Sequence, residues 1–136
     1  MTSPILALRR AILETASTDE ELTFLMGGTL RLHDEPPRNA EPVHALFGEV
    51  AARDWSTGTD RGHEQDLAIV VWSERGSART GLAVAERFSA ILDEAELSVE
   101  GHRLVNLRVT EIASNRDEET QLTRVTLRLR AVTERG

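Results

Sequence analysis

The chain has 136 residues and a mass of 15.1 kDa, enough for one domain, and by surface scaling it can bury about two-thirds of its unfolded surface without a disulfide or metal staple. It has no cysteine, and all 16 basic residues are arginine, which excludes a disulfide framework, a thiolate zinc site, a cysteine nucleophile and the lysine of a phosphate-binding P-loop. The net charge of −7 opposes coating of a nucleic-acid backbone, and the longest uncharged apolar run, Leu67–Ser73, is far shorter than the roughly 20 residues that span a bilayer.

The first predicted element is a helix from Pro4 to about Thr15, with Ser3 as N-cap, Pro4 at the first helical position and Ile5, Leu8, Ile12 and Leu13 as its apolar stripe. The stretch Thr18-Asp19-Glu20-Glu21 reads as a capping box led by Thr18. It opens a second short helix with Leu22, Leu25 and Met26 inward and Gly27-Gly28 as its stop. The period then changes to extended. Leu30–His33 is a short edge strand stopped by Pro36-Pro37, and Pro42–Ala51 a strand with Val43, Ala45, Phe47 and Val50 inward. A polar stretch, Asp54–Gly62, precedes Glu64–Trp72, which is apolar on both faces, the pattern of a central strand covered on two sides.

Ser73–Gly76 is a turn, Ser77 an N-cap and Ala78–Glu94 the main helix, with Val84, Ala85, Phe88, Ile91, Leu92 and Ala95 facing a sheet. Leu97–Val99 and His102–Leu104 flank a two-residue turn at Glu100-Gly101. Arg103–Ala113 alternates with Val105, Leu107 and Val109 inward. Asn115–Thr120 is a loop, and Gln121–Val132 alternates with Val125, Leu127, Leu129 and Ala131 inward. The expected fold is α+β: a mostly antiparallel sheet of four to five strands, with two short N-terminal helices and one long helix packed on one face. One domain spans 1–136, with helices in 4–26, strands within 30–72, a helix over 78–94 and strands within 97–132.

No residue pattern in the chain carries an enzyme's chemistry. His33, His44, His63 and His102 have no metal-ligand spacing, Gly-x-Ser-x-Gly is absent, and the acidic pairs fall at turns or helix ends where solvated charge is the ordinary state. No catalytic residue, metal or cofactor is expected. Two features stand out instead. Arg124, Arg128 and Arg130 share the outer face of the last strand, and Arg108 the outer face of the strand beside it. Like charges gathered so closely need acids across them. Three readings are open: carboxylates of the same subunit such as Glu111 or Glu134, carboxylates of a neighbouring subunit, or a nucleic-acid platform. The second feature is Trp55 among small polar residues, either an interface anchor or a side chain folded over its own core.

Further segments complete a pattern: Asp34-Glu35-Pro36-Pro37; Gly48-Glu49-Val50 leading to Asp54–Thr59; Gly62-His63-Glu64; Val71-Trp72-Ser73; Gly101–Arg108; and Arg130–Glu134. In this ordered set over residues 30–134 the chain resembles the tail-completion, or tail-terminator, proteins of long-tailed non-contractile phages, especially the gene transfer agent branch. It departs from them at Pro42-Val43-His44 and at Leu129, where an aromatic residue is common in the family. The resemblance implies a structural virion protein at the tail–head junction, assembled in the bacterial cytoplasm. Such a protein forms a homo-hexameric ring that caps the tail tube, ends tube polymerisation and joins the tail to the head connector. Its partners are then itself, the tube protein and the connector protein, with DNA only in transit through the lumen and no membrane. By position it assigns Asp54, Trp55, Ser56, Thr57, His63 and Glu64 to a subunit or tube contact, and Arg108 and Arg130 match family-like strand ends; the arginine stripe adds Arg124 and Arg128 to the candidate interface. The rival readings are another neck or head–tail adaptor, or a small-ligand-binding α+β domain.

Overall fold

A computed structural model describes residues 3–39, 43–74, 76 and 78–135. The elements run α1 (Pro4–Ser17), α2 (Glu20–Leu25), β1 (Leu32–His33), β2 (His44–Asp54), β3 (Gly62–Ser73), α3 (Ala78–Leu92), β4 (His102–Arg116) and β5 (Thr123–Arg135). One sheet holds all five strands in the order β1-β2-β3-β5-β4. The fold is α+β as expected, but β1 pairs in parallel with β2, so the sheet is mixed.

Helix ends are set by local chemistry. The Ser3 hydroxyl accepts the Leu6 N–H, and Pro4 follows where its missing donor is harmless. The cap of α2 is Asp19, not Thr18: its carboxylate accepts the Leu22 N–H at 2.9 Å, while Thr18 closes α1. Asp19 is also gripped by Arg87 of α3, whose guanidinium donates at 2.8 Å and 2.6 Å. That pairing holds the Asp19 carboxyl below its ordinary range. Gly27 and Gly28 adopt φ of +92° and +105°, which ends the helical path. With 14 residues α1 nearly matches the 15 of α3, so only α2 is short.

The helices pack on one face of the sheet. Leu67, Ile69 and Val71 of β3 and Val125, Leu127 and Leu129 of β5 meet Val84, Ala85, Phe88 and Leu92 of α3 and Leu8 and Ile12 of α1 in a single core. α3 can lie close to the sheet because Gly81 has no side chain; a Cβ there would stand 2.7 Å from the Ser73 hydroxyl. Arg9 locks α1 to β2, donating to the Gly48 carbonyl at 3.3 Å and lying 5.2 Å from the Phe47 ring. Helices cover β3 on one side only: on the other face Ala68 is buried and Val70 and Trp72 are half-buried, but no helix lies there among the described residues.

Several boundaries move. Leu13 is 39 % exposed and Val105 also 39 %, not inward. Leu13 lies opposite the buried stripe of α1, and Val105 is displaced by a bulge between Leu104 and Asn106. The main helix ends at Leu92 and not Glu94, and the Leu97–Val99 arm contributes a single bridge, Val99 to His102, across the Glu100-Gly101 turn. β4 runs on to Arg116, β5 starts at Thr123 and continues to Arg135. The cap expected at Ser77 and the strand start at Pro42 lie outside the described residues.

Candidate subunit interface

The sheet face away from the helices carries ten charges in strand register. Because alternate residues share a face, the pairings of β2 with β3, β3 with β5 and β5 with β4 place Arg53 opposite Glu64, Asp66 opposite Arg130 and Arg128 opposite Glu111. Glu64 sits between two guanidiniums: Arg130 donates through Nε at 3.0 Å and Arg53 through Nη2 at 2.9 Å. Both donors hold its carboxyl below the usual range, Arg130 more strongly. Arg53 also reaches Asp66. Arg128 donates to Glu49 at 2.8 Å and lies 3.6 Å from Glu111, while Arg103 meets Glu134. Glu49, whose carboxylate joins this set, sits in the bulge of β2 where the register shifts between Phe47 and Val50.

The arginine stripe therefore forms as the alternation predicted, and its acids come from the same chain. Arg128 and Arg130 have the partners just named. Arg108 turns aside to Asp93 and Glu94 at 3.7 Å and 3.8 Å, away from Arg130 directly opposite it. Arg124 lies 5.9 Å over the Trp72 ring and donates to the Asn115 side chain. Arg53, Asp66 and Glu49 were missed, although Arg53 precedes a strand whose Glu64 and Asp66 alternate at the matching spacing. A hairpin register is the one fact needed to join them, and it is not legible in residue types alone.

The Asp54–Thr57 and His63–Glu64 residues gather at one end of the sheet, where β2 turns into β3. Asp54 and His63 oppose each other, the Trp55 N–H donates to the Gly62 carbonyl at 2.9 Å, and the Ser56 hydroxyl donates to Asp54 at 2.6 Å. The Ser56 bond is the main cause that keeps the Asp54 carboxyl low, with His63 and Arg61 adding to it. Ser56 Oγ in turn accepts the Gly62 N–H, and the Arg135 N–H of β5 donates to Arg61. Gly62 is squeezed here, a Cβ being 3.0 Å from the Thr133 carbonyl and 3.2 Å from that of Trp55. The loop is thus fixed by its own bonds, and it presents Trp55 at 45 % exposure; the side chain is not folded into the core.

Beside β4 runs an open groove of about 980 Å³, bordered by Glu94–Glu100, Arg103, Arg108 and Glu14. Within it Arg108 lies 3.8 Å from Glu94, while Arg103 reaches out of it to Glu134. Among the described residues no group of three His, Asp or Glu is placed to hold a metal ion, and no helix is long and apolar enough to cross a membrane. The site that the geometry offers is a broad ion-paired sheet face with an aromatic loop at its end, suited to contact with another protein surface.

The comparisons fit a surface of that kind. The family model described as "Tail completion protein gp17" matches residues 10–134. Among 22 solved chains that match, one from a structure titled "Virion of native gene transfer agent (GTA) particle" has 27 % identity and a TM-score of 0.88, and covers 98 % of this chain and 99 % of that chain. No curated protein matches the chain.

Proposed function

As the chain belongs to the tail completion protein gp17 family and is a structural protein of the phage-tail type, we propose that its copies close into a ring on the end of the tail tube. The ring stops tube polymerisation and presents a surface to the head connector. Its working state is a homo-hexamer at the tail–head junction of a virion, assembled in the bacterial cytoplasm, with DNA passing through its lumen and no reaction catalysed. The observation that carries this reading is the end-to-end match to a chain of a gene transfer agent virion, 98 % against 99 %. The molecule's own surface supports it: an exposed aromatic loop and a dense ion-paired sheet face are the equipment of an assembly subunit. Ring closure needs heterologous contact, in which two different patches of one chain meet.

Light scattering on the purified chain, alone and mixed with tube subunits, tests the reading. A six-subunit mass and tubes of fixed length are expected. A monomer that leaves tube length unchanged would overturn it, and cross-linking to the connector without contact to the tube would move the protein to a neck adaptor.

A further inference from the structure

The two edges of the sheet are each half covered by the chain itself. On the β2 edge, β1 pairs with Ala45 and Leu46, and beyond the bulge no strand among the described residues lies on the outer side of Val50–Asp54. On the β4 edge, the turn after α3 covers the first half: the Glu94 N–H donates to the Leu107 carbonyl at 2.7 Å and the Val109 N–H to Asp93 at 2.8 Å. Beyond the bulge at Thr110, Glu111–Arg116 has no strand on its outer side among the described residues, and every residue of it is exposed. Strand edges left open are normally guarded by lysine, proline or an inward charge. Neither bare segment has a proline, and although Arg53, Asp54, Glu111 and Arg116 stand at their ends, the centres are the small, uncharged Ala51-Ala52 and Ala113-Ser114.

We propose that the bare edge of β4 in one copy adds, antiparallel, to the bare edge of β2 in the next, with Ala52 opposite Ile112, Ala51 opposite Ala113 and Arg53 opposite Glu111. The inference rests on the ring reading and names the surfaces that build it. Hydrogen-bond parity permits this register. Trp55 points its N–H into the hairpin, so Asp54, Ala52 and Val50 point theirs outward. Leu107 and Val109 face outward on β4, and after the one-residue bulge so do Ile112 and Ser114. Outward groups then meet outward groups, and both strands keep their helix-side residues on the helix side.

The side chains agree. Ile112 is 38 % exposed on the helix side and would meet the exposed Ala52, covering apolar surface that its own chain leaves open. On the other face Arg53 would gain Glu111, whose present partner Arg128 is 3.6 Å away, so the ion-paired lattice would continue from one copy into the next. The same register brings the Asp54–Thr57 loop alongside Arg108 and Val109. The strand directions suit a ring: β2 and β4 run antiparallel to each other within one chain, so translation of the subunit along its own sheet places them antiparallel across the joint. The chain as a monomer exposes 8082 Å², about 1,000 Å² above the roughly 7,000 Å² expected for a compact protein of its mass, which fits a subunit with surface left to bury.

The absence of native cysteine makes the test clean. Ala51→Cys and Ala113→Cys, singly and together, would be oxidised mildly and resolved on a denaturing gel, with mass in solution read in parallel by light scattering and folding by circular dichroism. In a non-hydrogen-bonded antiparallel pair the two Cβ atoms lie about 5 Å apart, close enough for a disulfide after small adjustment. The expected result is a covalent ladder from the double variant and none from either single variant, with association at least tenfold weaker in Ile112→Asp. Oligomers without a ladder would overturn the edge pairing and leave the ring reading standing. Dimers from a single variant would overturn it in favour of like edges meeting. A monomer throughout would overturn both.

Discussion

The two faces of β3 and β5 use the same backbone for opposite purposes. On the helix side Ile69, Val71, Val125 and Leu127 are wholly buried, and their contribution is apolar area removed from water. On the other side Glu64, Arg128 and Arg130 stay between 21 % and 46 % exposed and are held in ion pairs, Arg130 with Glu64 and Arg128 with Glu49. Exposed pairs add little to folding, because water solvates the separated charges nearly as well. They do fix which surface can meet this one. The difference between the faces is thus between what makes the chain fold and what decides its neighbours, and it can be attacked by substitution on each side.

The largest effect is expected on the helix side. Phe88→Ala should lower folding stability by about 3–5 kcal/mol, read from urea denaturation, because Phe88 is among the largest fully buried side chains of the core. A loss comparable to a surface change would mean that the helices do not carry the fold. Gly81→Val should cost about 1–3 kcal/mol by pushing α3 off β3 at Ser73, and an unaltered melt would show that the helix floats more freely than the 2.7 Å approach implies.

Asp19→Asn keeps the cap acceptor but removes the charge facing Arg87, for a loss of about 1 kcal/mol near neutral pH. Since the folded carboxyl titrates below its ordinary 3.8, its contribution is complete above about pH 5. It fades as pH falls through 4 and is gone below the folded value. The gap between the two melting curves should therefore close on acidification; a gap that widened would contradict the pairing.

On the outer side the order of effects reverses from folding to association. Trp55→Ala should change monomer stability by less than about 1 kcal/mol while weakening self-association, because nearly half of the ring is open to solvent. If the monomer lost about 3 kcal/mol or more, Trp55 would belong to the core. Arg128→Glu should have the smallest effect on the melt, repelling Glu49 and Glu111 within the chain. Its effect on association should shrink in about 1 M salt, where the screening length is about 3 Å. Equal oligomer mass at low salt would confine this arginine to its own subunit.

Residue types alone made the secondary structure readable wherever one periodicity was unopposed: the 3.6 period of α3, the alternation of β5, the proline and glycine stops. They also placed Arg124, Arg128 and Arg130 on one face, since alternation in a strand leaves no choice. Where two signals competed they misled. Thr18 and Asp19 are both good caps, and Val105 follows the alternation until a bulge breaks it.

What the chain order could not contain is who stands beside whom. Whether the arginines answer acids of their own chain depended on hairpin register and on the order β2-β3-β5-β4, which bring Glu64 between Arg53 and Arg130 across 66 residues of separation. The bare halves of β2 and β4 are likewise a product of topology. A strand's edge is open or closed according to its neighbours, and no residue within the strand records them.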